Sequence, residues 1–134
     1  MENREQVQAV YRAFAQGDMP AVMAQFDPNI EWQLAESHVY VADGAPLRGT
    51  QEVGEKFFAR IAPDWEAFVV SPARFHDAGD TIIVQGRYTG THKRTQRKLD
   101  AQFCHLWTLR AGKVIRFQQY MDTAQLRSAA GIAV

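Results

Sequence analysis

Apolar residues fall at helical spacing early in the chain and at alternate positions later in it. Val7, Val10, Tyr11 and Phe14 stand at i, i+3, i+4 and i+7, which draws one apolar stripe along a first helix that Gly17 can end. Asp18 is placed to cap a second, short helix through Phe26, with Pro20 tolerated in its first turn and Pro28 barring continuation. From Asn29 to Ala35, Ile30, Trp32 and Leu34 alternate with Glu31 and Gln33, the period of a half-buried strand. The stretch from Glu36 to Gly49 reads as irregular. Thr50 can then cap a third helix in which Val53, Phe57 and Ile61 recur near helical spacing, until Pro63 stops it.

From Glu66 onward the pattern is one of strands, over 66–76, 81–91, 98–109 and 113–122, with turn chemistry such as DAGD at 77–80 between them. Helices at the front and antiparallel strands at the back predict an α+β fold, with the helices packed on one face of a curved, mostly antiparallel sheet. Thr123 to Val134 reads as a short final helix or a frayed end. No repeat or linker interrupts the pattern, so one domain over 1–134 is expected.

The last two strands form a hairpin. Ala111-Gly112, between Arg110 and Lys113, suits a two-residue turn with Gly at positive φ. Counting outward pairs Leu109 with Val114, Trp107 with Arg116, His105 with Gln118 and Phe103 with Tyr120. This register puts His105, Trp107, Arg116, Gln118 and Tyr120 on one face, a mixture better suited to a ligand pocket than to a plain core. A slip of one residue would change every pair.

Composition narrows the classes of function. The chain has 134 residues, is 46% apolar and carries three Trp, eight Phe and four Tyr, enough for one core. Fifteen basic residues balance fifteen acidic ones, so no overall field draws the protein to nucleic acid or an anionic membrane. Apolar runs are far shorter than the roughly 20 residues of a membrane helix. The opening MENREQ lacks the apolar stretch of a secretory signal, and a cytoplasmic location is the default expectation. Cys104 is the only cysteine and reads as a structural thiol in a strand. No zinc or iron–sulfur spacing occurs, so neither metal nor cofactor is expected.

Four segments carry a family likeness: YRAFAQGDMPAVMAQFDPNIEW at 11–32, LRGTQEVGEKFF at 47–58, AGDTIIVQGRYTGTHKRTQRKLDAQFCHLW at 78–107 and GKVIRFQQYMDT at 112–123. In these the chain resembles the nuclear transport factor 2-like superfamily, within its SnoaL-like and ketosteroid isomerase-like branch. The resemblance implies a cone-shaped α+β barrel whose open end admits a small, mostly apolar molecule, in some members carbonyl-containing, and a homodimer. It does not fix a reaction, because the fold hosts enzymes and binding modules alike.

Ketosteroid isomerase chemistry needs an Asp base with a Tyr and a protonated acid as oxyanion donors. On the resemblance, the base position falls on Leu34, the helix Tyr position on Val10, and the acid donor position on His105 or Cys104. Leucine cannot move a proton, so that mechanism is not expected. The polyketide cyclases draw an acid–base pair from the late strands, which brings His105 and Asp122 forward. In the counted register Asp122 lies about 13 Å along the strand from the partner of His105. Tyr120 and Gln118 are the nearer partners. His105 is therefore the candidate general acid or base, its ordinary pKa suiting either role. The structural alternative is a satisfied histidine joining two strands.

A second cluster comprises Trp32, Glu36, His38 and Tyr40, at the end of the first strand and in the loop beyond it. Trp32 reads as core or pocket wall. Glu36 and His38 read as a proton-handling pair or a solvated loop, two ligands being too few for a metal. Trp65 is placed to cover the core or the pocket. Arg87 either binds a substrate oxygen or pairs with Glu31, Glu36 or Asp100. Arg116, opposite Trp107 in this register, can stack on the indole. HKRTQRK at 92–98 reads as a solvated hairpin tip, since it lacks the interleaved aromatics of single-strand recognition.

Overall fold

The computed structural model describes every residue except Ala42. Helix α1 (Asn3–Ala15) turns Val7, Val10, Tyr11 and also Gln6 inward, and Gly17 follows it at φ 71°, the left-handed conformation that glycine favours. Asp18 caps α2 (Met19–Ala24) by accepting from the Ala21 N–H. Strand β1 (Phe26–Gln33) begins three residues earlier than the alternation indicates. Its antiparallel partner β2 (Leu47–Arg48) lies inside the stretch expected to be irregular.

The third helix comes in three pieces: α3 (Thr50–Val53), a π-helical turn (Gly54–Phe58) and α4 (Ala59–Asp64). Thr50 does not cap: Gly49 occupies the N-cap at φ 83°, and the Glu52 side chain reaches back to the Arg48 N–H. Pro63 does not stop the helix, which runs to Asp64 with the proline in its last turn. In the π turn, adjacent Phe57 and Phe58 both reach Trp32, with ring centroids 5.5 and 5.3 Å away. Such turns concentrate at functional sites.

Strands β3 (Trp65–Ala78), β4 (Thr81–His92), β5 (Lys98–Arg110) and β6 (Lys113–Met121) follow the expected meander. The six-stranded sheet has the order β2-β1-β6-β5-β4-β3, with β1 parallel to β6 and every other pair antiparallel. The fold is α+β, the sheet curved but not closed, and the helices lie against its concave face.

The counted hairpin register is overturned beyond its first pair. Leu109 does face Val114 across the Ala111-Gly112 turn, whose residues have φ 51° and 76°. A bulge between Thr108 and Leu109 then shifts the pairing, so that Trp107 faces Phe117, His105 faces Gln119 and Phe103 faces Met121. The extra residue on β6 reverses the alternation of everything after it. Phe117 and Gln119 point inward with His105, while Arg116 and Tyr120 are exposed and Gln118 is half-buried on the other face.

Asp122 lies past the end of β6 and caps α5 (Thr123–Ala129), accepting from the Gln125 N–H. The basic tip is more than a solvated loop. Arg94, Thr95 and Arg97 donate to the carbonyls of Ala130, Ala129 and Ser128, closing the C-terminal end of α5, where cations also complement the helix dipole. Among the described residues no helix is long and apolar enough to cross a membrane.

Gly86 on β4 sets how closely its neighbouring strands approach. A Cβ there would lie 2.4 Å from the Ser71 carbonyl oxygen and 2.6 Å from Cζ of Phe103. Gly86→Ala is expected to lower unfolding stability by about 1–3 kcal/mol, read from urea titration; an unchanged midpoint would mean that β3 moves aside without strain.

Candidate functional site

The concave face of the sheet buries an imidazole among aromatic rings. His105 on β5 is 4% exposed, with Phe103 stacked at 3.9 Å and Phe117 edge-on at 4.9 Å. Its two ring nitrogens meet two tyrosines. The Tyr11 hydroxyl from α1 lies 2.6 Å from Nδ1, and the Tyr88 hydroxyl from β4 bonds Nε2. Behind each tyrosine stands a further donor: Trp107 Nε1–H donates to the Tyr11 oxygen at 2.9 Å, and Gln119 Nε2–H donates to the Tyr88 oxygen at 2.9 Å. Gln119 is oriented in turn by the Ala35 N–H, which donates to its Oε1 at 3.2 Å.

Burial holds the His105 imidazole well below its ordinary pKa and raises both tyrosine hydroxyls well above theirs. All three are neutral at physiological pH. A neutral imidazole has one N–H and one acceptor nitrogen. It therefore donates to one tyrosine and accepts from the other. The tyrosine that receives its N–H already receives a second donor from Trp107 or Gln119, so its own hydroxyl hydrogen has no acceptor among the described residues. The network carries one surplus O–H.

His105, Tyr11, Tyr88, Trp107 and Trp32 line a void of about 50 Å³ against the π turn. A second void of about 30 Å³ abuts it, sharing Phe57, Ile61, Phe68 and Tyr88 and adding His38, Tyr40 and Trp65. No carboxylate among the described residues lines either one. His38 is buried, and burial together with the Arg60 guanidinium lowers its pKa to about 4. Tyr40 packs under that guanidinium, 4.1 Å from its ring centre.

The residues singled out in the sequence thus divide. Trp32, His105 and Trp107 gather at the first void, and His38, Tyr40 and Trp65 at the second. Glu36 is exposed on a shallow groove beside α5. Arg87 pairs with Asp100 at 2.8 Å on the outer face, away from both voids. Arg116 binds Glu31 at 3.0 Å instead of stacking on Trp107. Tyr120 is 55% exposed, Gln118 donates to the Gln119 carbonyl, and Asp122 is occupied as a helix cap. Cys104 is on the outward-pointing alternation of β5, leaving His105 as the inward residue.

Sequence reasoning missed Tyr11, Tyr88 and Gln119. Tyr11 reads as part of the core stripe, and it carries its hydroxyl inward one position after Val10. Gln119 was hidden by the bulge. The sequence does hold one sign of it: Val114 and Phe117, both large and apolar, stand three apart, which a regular strand cannot place on one face.

A helix-backed open sheet cupping an aromatic cavity is the nuclear transport factor 2-like architecture. The SnoaL-like domain profile matches residues 7–117, and the chain belongs to the SnoaL-like domain family. A nuclear transport factor 2-like protein from Burkholderia thailandensis is similar at 31% identity, covering 96% of this chain and 97% of that one with a TM-score of 0.90. A second such protein, of unknown function, from Burkholderia pseudomallei is 25% identical over 97% of this chain and 98% of that one, TM-score 0.86. TerC, co-crystallised with polyporic acid, shares the fold at 24% identity over 95% and 96% of the two chains, TM-score 0.83. No curated protein matches the chain.

His105 and His38 both lie below their unfolded pKa, so between about pH 6.5 and the folded values the unfolded chain binds more protons than the native one. Stability is therefore fully present above about pH 6.5 and is lost as pH falls. The His105 Cε1–H resonance is expected to stay unshifted from pH 7.5 to 5 in a folded sample; a midpoint near 6.5 would contradict the sealed network.

Proposed function

We propose that this SnoaL-like protein binds a small, largely apolar carbonyl compound in the cavity at His105, and that the Tyr11–His105–Tyr88 relay performs cofactor-independent acid–base chemistry on it, of the isomerase, cyclase or dehydratase type. The observation that carries this reading is the surplus hydroxyl hydrogen beside a neutral imidazole, at the wall of a cavity lined otherwise by aromatic and aliphatic side chains. The surplus O–H donates to the ligand carbonyl and stabilises the enolate oxygen as it forms. The other tyrosine passes its hydroxyl hydrogen to the imidazole as it receives the ligand's α-hydrogen. Neither phenol becomes a phenolate, which their raised pKa values would penalise. The imidazolium that results is tolerated in this apolar site only with the enolate charge beside it.

That small molecules enter this fold is supported by TerC with polyporic acid and by a protein from Catenulispora acidiphila in complex with trimethylamine. The resemblance adds a homodimer, for which the outer sheet face carrying the exposed Tyr120 and Val69 is the natural surface.

The test is exchange of the C2 hydrogens of 1-tetralone in D2O, followed by NMR. The wild type is expected to accelerate exchange over buffer and His105→Gln, folded by circular dichroism, to lose at least about 100-fold of that acceleration. Equal rates in the two proteins would remove the catalytic role of His105. A second reading, binding without turnover, is favoured by Leu34 at the base position and by the lack of a carboxylate on the described cavity walls. It predicts saturable 1-tetralone binding with exchange at the buffer rate.

A further inference from the structure

Trp107, Tyr11, His105, Tyr88 and Gln119 form one line of hydrogen bonds, and both of its ends are fixed as donors. An indole nitrogen has no acceptor form, so Trp107 can only give its hydrogen to the Tyr11 oxygen. Gln119 could turn its amide either way, but the Ala35 backbone N–H meets its oxygen at 3.2 Å, and an N–H accepts nothing. Its amide nitrogen is therefore the end that faces Tyr88. Both residues are buried, so solvent does not stand in for either donor.

A line with a donor at each end must reverse direction once. With the hydrogen of His105 on Nε2, Tyr11 gives its hydrogen to Nδ1, and the Tyr88 oxygen accepts twice, from the imidazole and from Gln119. With the hydrogen on Nδ1 the pattern is mirrored: Tyr88 gives to Nε2, and the Tyr11 oxygen accepts twice, from the imidazole and from Trp107. Both arrangements keep every bond of the line. A buried histidine is ordinarily held in one tautomer because the other would leave a group unpaired, and here that cost is the same on both sides. Removing one end donor upsets the balance. The phenol that loses it can then take the imidazole hydrogen without accepting twice.

We propose that Trp107 and Gln119 are positioning residues of the relay: their opposed N–H groups hold the two tautomers of His105 level, so that either Tyr11 or Tyr88 can carry the surplus hydroxyl hydrogen. In its chemical use this rests on the acid–base reading of the cavity, and it deepens that reading by making the two phenols interchangeable. Each can be the oxygen donor while the other passes its hydrogen to the ring. The Ala35 N–H takes part at one remove, since it fixes which way Gln119 faces.

Long-range proton–nitrogen correlation spectra of the His105 ring at neutral pH read the tautomer with no ligand present. In the wild type both ring nitrogens are expected between their protonated and unprotonated positions. Trp107→Phe should carry Nδ1 toward the protonated position and Gln119→Met should carry Nε2 there, each favouring its tautomer by about threefold or more. A loosened core would not move the two nitrogens in opposite senses. A wild-type ring held in a single tautomer overturns the proposal even if neither variant folds, and so do folded variants that shift alike or not at all. The chemical use is read from 1-tetralone exchange, which each folded variant should slow about twofold or more, one of two role assignments being lost. Unchanged rates in both would overturn the positioning role. If the wild type itself accelerates nothing, the acid–base reading falls, while the spectra still decide whether the two tautomers are level.

Discussion

A histidine buried among phenylalanine rings must find partners for both ring nitrogens, and this chain meets that demand from separate elements. Tyr11 comes from the first helix, Tyr88 from β4, and their supporting donors Trp107 and Gln119 from β5 and β6. Gln119 is itself held by the backbone at Ala35, just beyond β1. One polar requirement thereby links helix α1 to most of the sheet. In a low-dielectric interior each of these bonds is stronger than in water, and each missing partner would cost more. The relative placement of helix and sheet is constrained by these bonds as well as by apolar packing.

The same circuit gives the cavity its chemical character. On the central strands Arg87 meets Asp100 and Arg116 meets Glu31, all turned outward. These are exposed pairs of the kind worth about 0–1 kcal/mol, and they lie on the outer face and leave the pocket neutral. Inside, the polar groups are hydroxyl, imidazole, amide and indole. They can polarise a carbonyl or pass a hydrogen, and they cannot hold a lasting charge without a counter-charge brought by the ligand. The π turn contributes Phe57 and Phe58 to the cavity wall.

Much of the architecture was legible along the chain. The stripe through Val7, Val10, Tyr11 and Phe14, the cap at Asp18, the Ala111-Gly112 turn and the four late strands all follow from period and turn chemistry, which act over a few residues. His105, Trp32 and Trp107 were legible as pocket residues through resemblance together with alternation. What failed was the phase of β6. One bulge beside the turn exchanged Arg116, Gln118 and Tyr120 for Phe117 and Gln119, and with them went the expected partners of His105. Asp122, read as part of the strand, became a helix cap because β6 ends one residue before it.

By itself the sequence determined the order and type of the elements, the aromatic richness of the interior, and the presence of an imidazole on an inward-facing strand position. Those depend on local preference and on the solvent's rejection of apolar surface, and both are written residue by residue. Only the tertiary structure decided which hydroxyls reach that imidazole and that the Trp32 N–H is buried without a partner. These depend on contacts between residues up to nearly a hundred positions apart, such as Tyr11 and Trp107. Their register turns on one extra residue in β6, and local periodicity does not count insertions.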